Sequence, residues 1–324
     1  MVEQSWTFPY RTALVTAHLN KHYVQHGKWS VERIYWNNLN VVFEATSNSG
    51  EKLAIKSNQD PHENEREYSA LKVLNTLTDQ SVKALELGPR SSFIVLEWIS
   101  GGTLLTHMHD AQRLQKIHEA GEWLRRFHDK TLVTLSDTDL SLSAMIDEPW
   151  RNDDRDWPHI SQDLQINYEA LRSEMDLHAQ LHTDFQLHNL IDAPNGLVAI
   201  DPASERFGHP YFDVARFLTG MALYRRLSAS PWPNDEATDR HVFLSAYGAP
   251  KMAEAALLDY VETLTMARLR NTFELRYGPS TGRNQRIAIL DDMLENRLPR
   301  RSKLRRRILM SRLLRPSRPS PRYR

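Results

Sequence analysis

Two apolar runs of strand length, Asn40-Val41-Val42-Phe43-Glu44-Ala45 and Lys52-Leu53-Ala54-Ile55-Lys56, stand on either side of Ser47-Asn48-Ser49-Gly50. That turn signal between them predicts a hairpin. Pro61 then precedes residues 63–77, where Tyr68, Leu71, Leu74 and Leu77 recur at helical spacing, and Phe93-Ile94-Val95-Leu96 is another strand-length run. Residues 31–99 therefore read as a strand-rich lobe with one helix. From about residue 100 the period becomes helical. Leu114, Ile117, Ala120, Gly121, Leu124 and Phe127 mark an amphipathic helix, and residues 211–227 and 252–270 repeat the pattern. Residues 138–158 are polar, with several Asp and two prolines, and predict a surface excursion. Strands followed by helices predict an α+β class, divided into 1–99, 100–298 and an Arg/Pro/Ser-rich tail over 299–324. That tail reads at best as a helix over 303–314 and as disordered thereafter.

Composition narrows the setting. The 324 residues are 40% hydrophobic and 25% charged, with no cysteine, which excludes a disulfide framework and thiolate metal sites. Neither a secretory signal pattern nor an apolar run of membrane-spanning length is present, so a soluble or peripheral protein is expected, and the lack of cysteine fits a reducing, cytoplasmic setting. Formal net charge is zero, yet twelve of the 41 basic residues and none of the 41 acidic ones fall within 297–324. The rest of the chain then carries 29 basic against 41 acidic residues, a net of −12. The tail reads first as a solvated extension and second as a surface helix for anionic lipid, since Ile308, Leu309, Leu313 and Leu314 stand among arginines. Nucleic acid ranks last, because no recognition fold accompanies the charge.

The chemistry concentrates in Leu181-His182-Thr183-Asp184-Phe185-Gln186-Leu187-His188-Asn189-Leu190-Ile191, followed by Leu197-Val198-Ala199-Ile200-Asp201. Asp184 and Asn189 have the D-x-x-x-x-N spacing of a kinase catalytic loop, and Asp201 closes a short apolar strand. A phosphoryl group in transfer carries diffuse negative charge, so catalysis needs hard oxygens for Mg and a carboxylate at the acceptor hydroxyl. Asn189 and Asp201 supply the first, and Asp184 the second. Any one of these residues alone reads as a loop cap; their joint order points to chemistry.

That segment resembles the catalytic loop of the aminoglycoside phosphotransferase and choline kinase family, usually His-Gly-Asp with an Asn five residues after the Asp. Ile200-Asp201-Pro202-Ala203, then Gly208-His209-Pro210-Tyr211-Phe212-Asp213-Val214-Ala215-Arg216, resembles its metal-binding Asp and the following Gly-x-Pro-x-x-Asp stretch. Gly121-Glu122-Trp123-Leu124-Arg125-Arg126-Phe127-His128 resembles its helix ending in Leu-His, and residues 93–102 its interlobe hinge. The resemblance runs from about residue 37 to 218. It implies a protein-kinase-like, two-lobed fold, with a small antiparallel-sheet N-lobe that binds nucleotide and a larger, mostly helical C-lobe for catalysis and substrate. It also implies ATP and Mg as cofactors. Lys56 would grip the α- and β-phosphates with Glu67 as its helix partner, Glu63 and Glu65 being rivals for that place. The backbone of Glu97, Trp98 and Ile99 would meet the adenine edge. Asp184 would be the base, Asn189 and Asp201 the metal ligands, and His182 and Asp213 supports of the loop.

Three positions depart from the family pattern: Thr183 replaces the usual Gly, His188 stands where a small residue is common, and His209 holds a place often taken by Asp. His178 and His182 have zinc-helix spacing, but Ala179 stands where the general-base Glu would be, so both read as structural. His128, His188 and His209 read as packing or loop anchors, and Trp123 and Trp150 as packing.

The function expected is transfer of the ATP γ-phosphate to a hydroxyl of a small molecule: an amino alcohol, a sugar or an aminoglycoside-like compound. The alternatives are a kinase of a lipid-linked or envelope saccharide brought to the inner membrane face by residues 299–324, and a pseudokinase binding module. Asp147, Glu148, Asp153, Asp154 and Asp156 could line an acidic acceptor pocket; a solvated loop is the preferred reading. The acceptor's identity and the oligomeric state do not follow from the sequence.

Overall fold

The computed structural model describes residues 8–36, 39–134, 177–202, 206–248, 252–276 and 280–297. The polar stretch at 138–158, its acidic residues and Trp150, and the tail at 299–324 lie outside them. The chain opens with helix α1 (Phe8–His22), then strands β1 (Trp29–Trp36), β2 (Asn40–Ser47) and β3 (Lys52–Asn58), helix α2 (Pro61–Leu77), and strands β4 (Ala84–Leu87) and β5 (Ile94–Glu97). The strands form an antiparallel sheet in the order β1-β2-β3-β5-β4.

The β2–β3 hairpin closes as the sequence predicts, with Thr46 opposite Lys52 and Gly50 at φ 85° in the turn, a conformation that glycine adopts without Cβ strain. Alternation along the strands separates the two faces. Val41, Phe43, Ala45, Leu53 and Ile55 bury one face against Val15 and Leu19 of α1. On the opposite face Val42 stands across from Lys56, and Ala54 packs against a cluster that includes Leu71 of α2 and Leu96. Helix α2 begins where Asp60 accepts the His62 N–H at 3.0 Å and Pro61 takes a first-turn position.

The second lobe contains β6 (Gly102–Thr103), α3 (Arg113–Asp129), β7 (Val133–Thr134), β8 (Leu177–Leu181), β9 (Leu190–Ala193), β10 (Gly196–Ala199) and β11 (Arg206–Gly208). Helices α4 (Tyr211–Leu227), α5 (Glu236–Tyr247), α6 (Met252–Arg276) and α7 (Thr281–Arg297) complete it. Two small sheets, β10-β9-β6 and β11-β8-β7, flank the loop at 182–189. A core of Trp123, Phe127, Phe185, Phe217, Phe243 and Leu264 unites α3, that loop, α4, α5 and α6. Helices α3 and α5 cross at Gly121, where an added Cβ would lie 2.6 Å from the Phe243 carbonyl oxygen. The chain between the lobes turns at Gly101 (φ 146°), whose missing Cβ would sit 2.1 Å from the Asp192 carbonyl oxygen.

The predicted helices at 63–77, 211–227 and 252–270 all form, the last extending to Arg276. Helices α1, α5 and α7 are additions that the apolar period does not reveal. Each buries a charged residue on its packed face: Arg11, Asp239 and Asp291.

Candidate active site

Strand β3 delivers Lys56, 6% exposed, to the groove between the lobes. Its Nζ lies 2.8 Å from Glu67 Oε2 on α2 and also pairs with Asp201 Oδ1 beyond the end of β10. Glu67 further accepts from Asn58 Nδ2 at 3.2 Å. The rival carboxylates are engaged elsewhere, Glu65 with Ser91 Oγ at 2.6 Å and Glu63 with Arg66 at 3.0 Å. Burial alone would favour loss of the Lys56 proton, but Asp201 and then Glu67 outweigh it and push the pKa up, so the ammonium is kept.

The loop between β8 and β9 is held from α4. Asp213, fully buried in the first turn of that helix, accepts the His182 N–H at 2.7 Å and the Thr183 N–H at 2.8 Å. His128 Nε2 lies 3.2 Å from the same carboxylate, and its Nδ1 lies 2.9 Å from the Tyr247 hydroxyl. The His182 ring is buried edge-on to Trp123 and Phe185. Thr183 takes φ 68°, the left-handed region that explains why glycine is usual there. Its N–H bond to Asp213 holds it in place.

Asp184 follows, with both carboxylate oxygens engaged. Oδ1 accepts from Gln186 Nε2 at 2.7 Å, Arg216 Nε at 2.8 Å and Arg216 Nη2 at 2.7 Å. Oδ2 accepts from Asn189 Nδ2 at 2.9 Å, and the same amide donates to the Asp184 carbonyl at 2.9 Å. Burial pushes the Asp184 carboxyl up, but Arg216 and His188 outweigh it, and its pKa falls below the ordinary carboxylate value. The Ile200 N–H donates to the Asn189 carbonyl at 2.9 Å, which brings Asp201 beside this loop. Asp201 is itself at φ 59°. Asp184, Asn189 and Asp201 therefore converge, with Lys56 and Glu67 facing them from the other lobe.

The donor set suits a hard divalent ion. The Asn189 amide nitrogen is spent on Asp184, leaving its carbonyl oxygen as the available atom. Among the described residues the Asp201 carboxylate is paired through Oδ1 with Lys56, and its side chain is 39% exposed. An amide oxygen and a carboxylate oxygen are Mg ligands in type.

Glu97 ends β5 and its Oε1 accepts the Lys83 N–H at 2.8 Å. The Lys52 Nζ stands 5.3 Å from the Trp98 ring centroid. Ile99, Ala54 and Ile200 all pack on the cluster of Leu71, Val82, Ala84, Ile94 and Leu96, giving the groove an apolar end. A cavity of about 580 Å³ borders Glu97, Trp98 and Ile99 together with Gln80, Lys83 and Asn195. Lys56, Asp184, Asn189 and Asp201 do not line it, so this hollow lies apart from the convergent polar groups.

Sequence reasoning gave no role to Arg216, Gln186 or Asn58. Arg216 carries a usable signal, since it stands three residues after Asp213 on one helix face. The anchoring read for His128, His188 and His209 takes concrete form: His188 Nδ1 meets the Tyr224 hydroxyl at 2.9 Å, and His209 Nδ1 accepts the Tyr211 N–H at 3.1 Å.

A model described as the phosphotransferase enzyme family matches residues 32–258. In structure the chain is similar to a choline/ethanolamine kinase family protein from Mesorhizobium loti, at TM-score 0.61 and 16% identity over 97% of this chain and 100% of that one. It is similar to choline kinase LicA from Streptococcus pneumoniae at TM-score 0.61 and 16% identity, over 87% and 99%. It also resembles an amicoumacin kinase in complex with AMP-PNP and Ca2+, at TM-score 0.59 and 14% identity over 83% and 89%. These likenesses show a kinase-like fold. No curated protein matches the chain in sequence.

Proposed function

The chain belongs to the phosphotransferase enzyme family, and from that premise we propose that it moves the γ-phosphate of Mg-bound ATP to a hydroxyl of a small molecule. The acceptor class is an amino alcohol, a sugar or an aminoglycoside-like compound. In this reading residues 1–99 bind nucleotide, residues 100–298 carry catalysis and the acceptor, and residues 299–324 are an appended basic tail. The observation that carries it is the convergence of Asp184, Asn189 and Asp201 opposite the Lys56–Glu67 pair.

Each residue then has a task. Lys56, charged and fixed by Glu67, binds the α- and β-phosphates, while the 97–99 backbone with Trp98 meets the adenine. Asn189 and Asp201 would hold Mg, which would supply neutralisation of phosphate charge. Asp184 orients the acceptor hydroxyl and takes its proton as the new O–P bond forms and ADP leaves. Its depressed pKa suits late proton transfer, since a weak base contributes chiefly by orientation until the hydroxyl is strongly acidified. Asp213 and His182 hold the loop so that this geometry exists before the substrates arrive.

The test is Mg-ATP turnover by the purified chain across amino alcohols, sugars, aminoglycosides and saccharide lipids. Acceptor-dependent ADP release should fall by about 100-fold or more in Asp184→Ala and in Asp201→Ala. Unchanged turnover in either variant overturns the assignment. Nucleotide binding without transfer to any acceptor favours the binding-module reading, against which the complete Lys56, Asp184, Asn189 and Asp201 set weighs. The twelve basic residues of 297–324 support a second reading, a kinase of a lipid-linked saccharide at an anionic membrane. Deleting residues 299–324 should then release the protein from anionic vesicles while soluble-acceptor turnover persists; retention on the vesicles counts against it.

A further inference from the structure

Helix α4 grips the catalytic loop twice. Asp213 takes the backbone N–H groups of His182 and Thr183, and one turn later Arg216 takes the Asp184 side chain through Nε at 2.8 Å and Nη2 at 2.7 Å. Both Arg216 contacts fall on Oδ1, which also accepts from Gln186 Nε2 at 2.7 Å, so that oxygen receives three N–H donors. Among the described residues Oδ2 receives only the Asn189 amide, at 2.9 Å, and keeps a lone pair for another donor. A carboxylate is symmetric by itself; this environment makes its two oxygens unequal.

We propose that Arg216 is a positioning residue for phosphoryl transfer, whose guanidinium locks Asp184 Oδ1 so that Oδ2 is the oxygen presented to the acceptor hydroxyl. This rests on Asp184 being the base, as proposed above. Turning the carboxylate out of this orientation would break the three donor contacts on one oxygen together with the Asn189 bond on the other, and the planar guanidinium resists it. A lysine at 216 would keep the charge and lose the fork. The groups that act electrostatically on Asp184 are Arg216 from α4 and His188 and His182 from its own loop, and Arg216 is the strongest of the three.

Three variants separate this role from simple structural support. Arg216→Met should lower kcat by tenfold or more with the KM for ATP unchanged. Arg216→Lys keeps the charge but not the planar fork, so kcat should stay reduced by tenfold or more with the KM for ATP unchanged. In the Asp184→Ala background Arg216→Met should cause no further loss, because its effect passes through Asp184. Wild-type kcat in Arg216→Lys, or a full additional loss in the double variant, overturns the proposal. If Arg216→Met fails to bind Mg-AMP-PNP, Arg216→Lys and its split between kcat and KM decide the matter alone. Turnover surviving in Asp184→Ala overturns the base assignment itself. An inactive Asp184→Ala beside wild-type-like Arg216 variants overturns only the role of Arg216.

Discussion

Thr183 and Asp201 are held at φ 68° and 59°, on the two segments that meet beside Asn189. For a β-branched residue this backbone region is costly, about 1–3 kcal/mol, and it persists only where surrounding bonds over-determine it. The Asp213 carboxylate supplies such bonds at Thr183, and the Thr183 hydroxyl adds one to the His182 carbonyl at 2.5 Å. Thr183→Gly removes the Cβ strain and loses the hydroxyl bond and some chain entropy. A net gain of about 1 kcal/mol is expected in urea unfolding, with turnover retained. Thr183→Val keeps the branch and loses the hydroxyl, so it should be less stable than wild type. A less stable Thr183→Gly would mean that the loop bonds, rather than the backbone conformation, dominate at this position.

Helix α4 depends on an unusual start, since His209 Nδ1 accepts the Tyr211 N–H at 3.1 Å and must be unprotonated to do so. Burial pushes the His209 pKa down to about 3, with His178 and His128 adding to it. A folded-state pKa below the unfolded value of about 6.5 gives a contribution that is full above pH 6.5 and lost as pH falls towards 3. The expected slope from this one group is about 1.4 kcal/mol per pH unit. His209→Asn keeps a side-chain acceptor and does not titrate, so its stability should fall less steeply with acid than wild type in denaturant titrations at pH 7, 6 and 5. A second element-scale dependence joins α3 to α5. Arg113, 1% exposed, pairs with the fully buried Asp239, which also holds Arg225. Removing the shared carboxylate leaves a buried guanidinium uncompensated, so Asp239→Ala should cost about 3–5 kcal/mol in chemical unfolding.

Across the whole molecule, the Lys56–Asp201 pair joins the sheet lobe to the helical lobe at the place where the Asn189 and Asp201 oxygens are proposed to hold the metal. Ligand that binds only the folded chain stabilises it by mass action, about 2.7 kcal/mol at a hundred times Kd. Mg-AMP-PNP should therefore raise Tm by several degrees, and the Mg-dependent part of that rise should vanish in Asp201→Asn. An equal shift with and without Mg in wild type would argue against Asp201 as a metal ligand. The sequence by itself determined the β2–β3 hairpin and the helices at 63–77 and 211–227, because apolar period and turn chemistry are local properties of the chain. It also determined the order Asp184, Asn189, Asp201 and Asp213, because kinase-type loops keep these residues at fixed spacing on contiguous segments. Tertiary structure alone decided α1, α5 and α7. Their packed faces include Arg11, Asp239 and Asp291, which are bonded to Ser57, Arg113 and Arg270 from distant parts of the chain. A hydrophobic pattern cannot register a core position occupied by a paired charge. The choice of Glu67 over Glu63 and Glu65, and the hold of Arg216 on Asp184, were likewise decided in space, since each depends on which side chain a folded helix turns towards a partner far away in sequence.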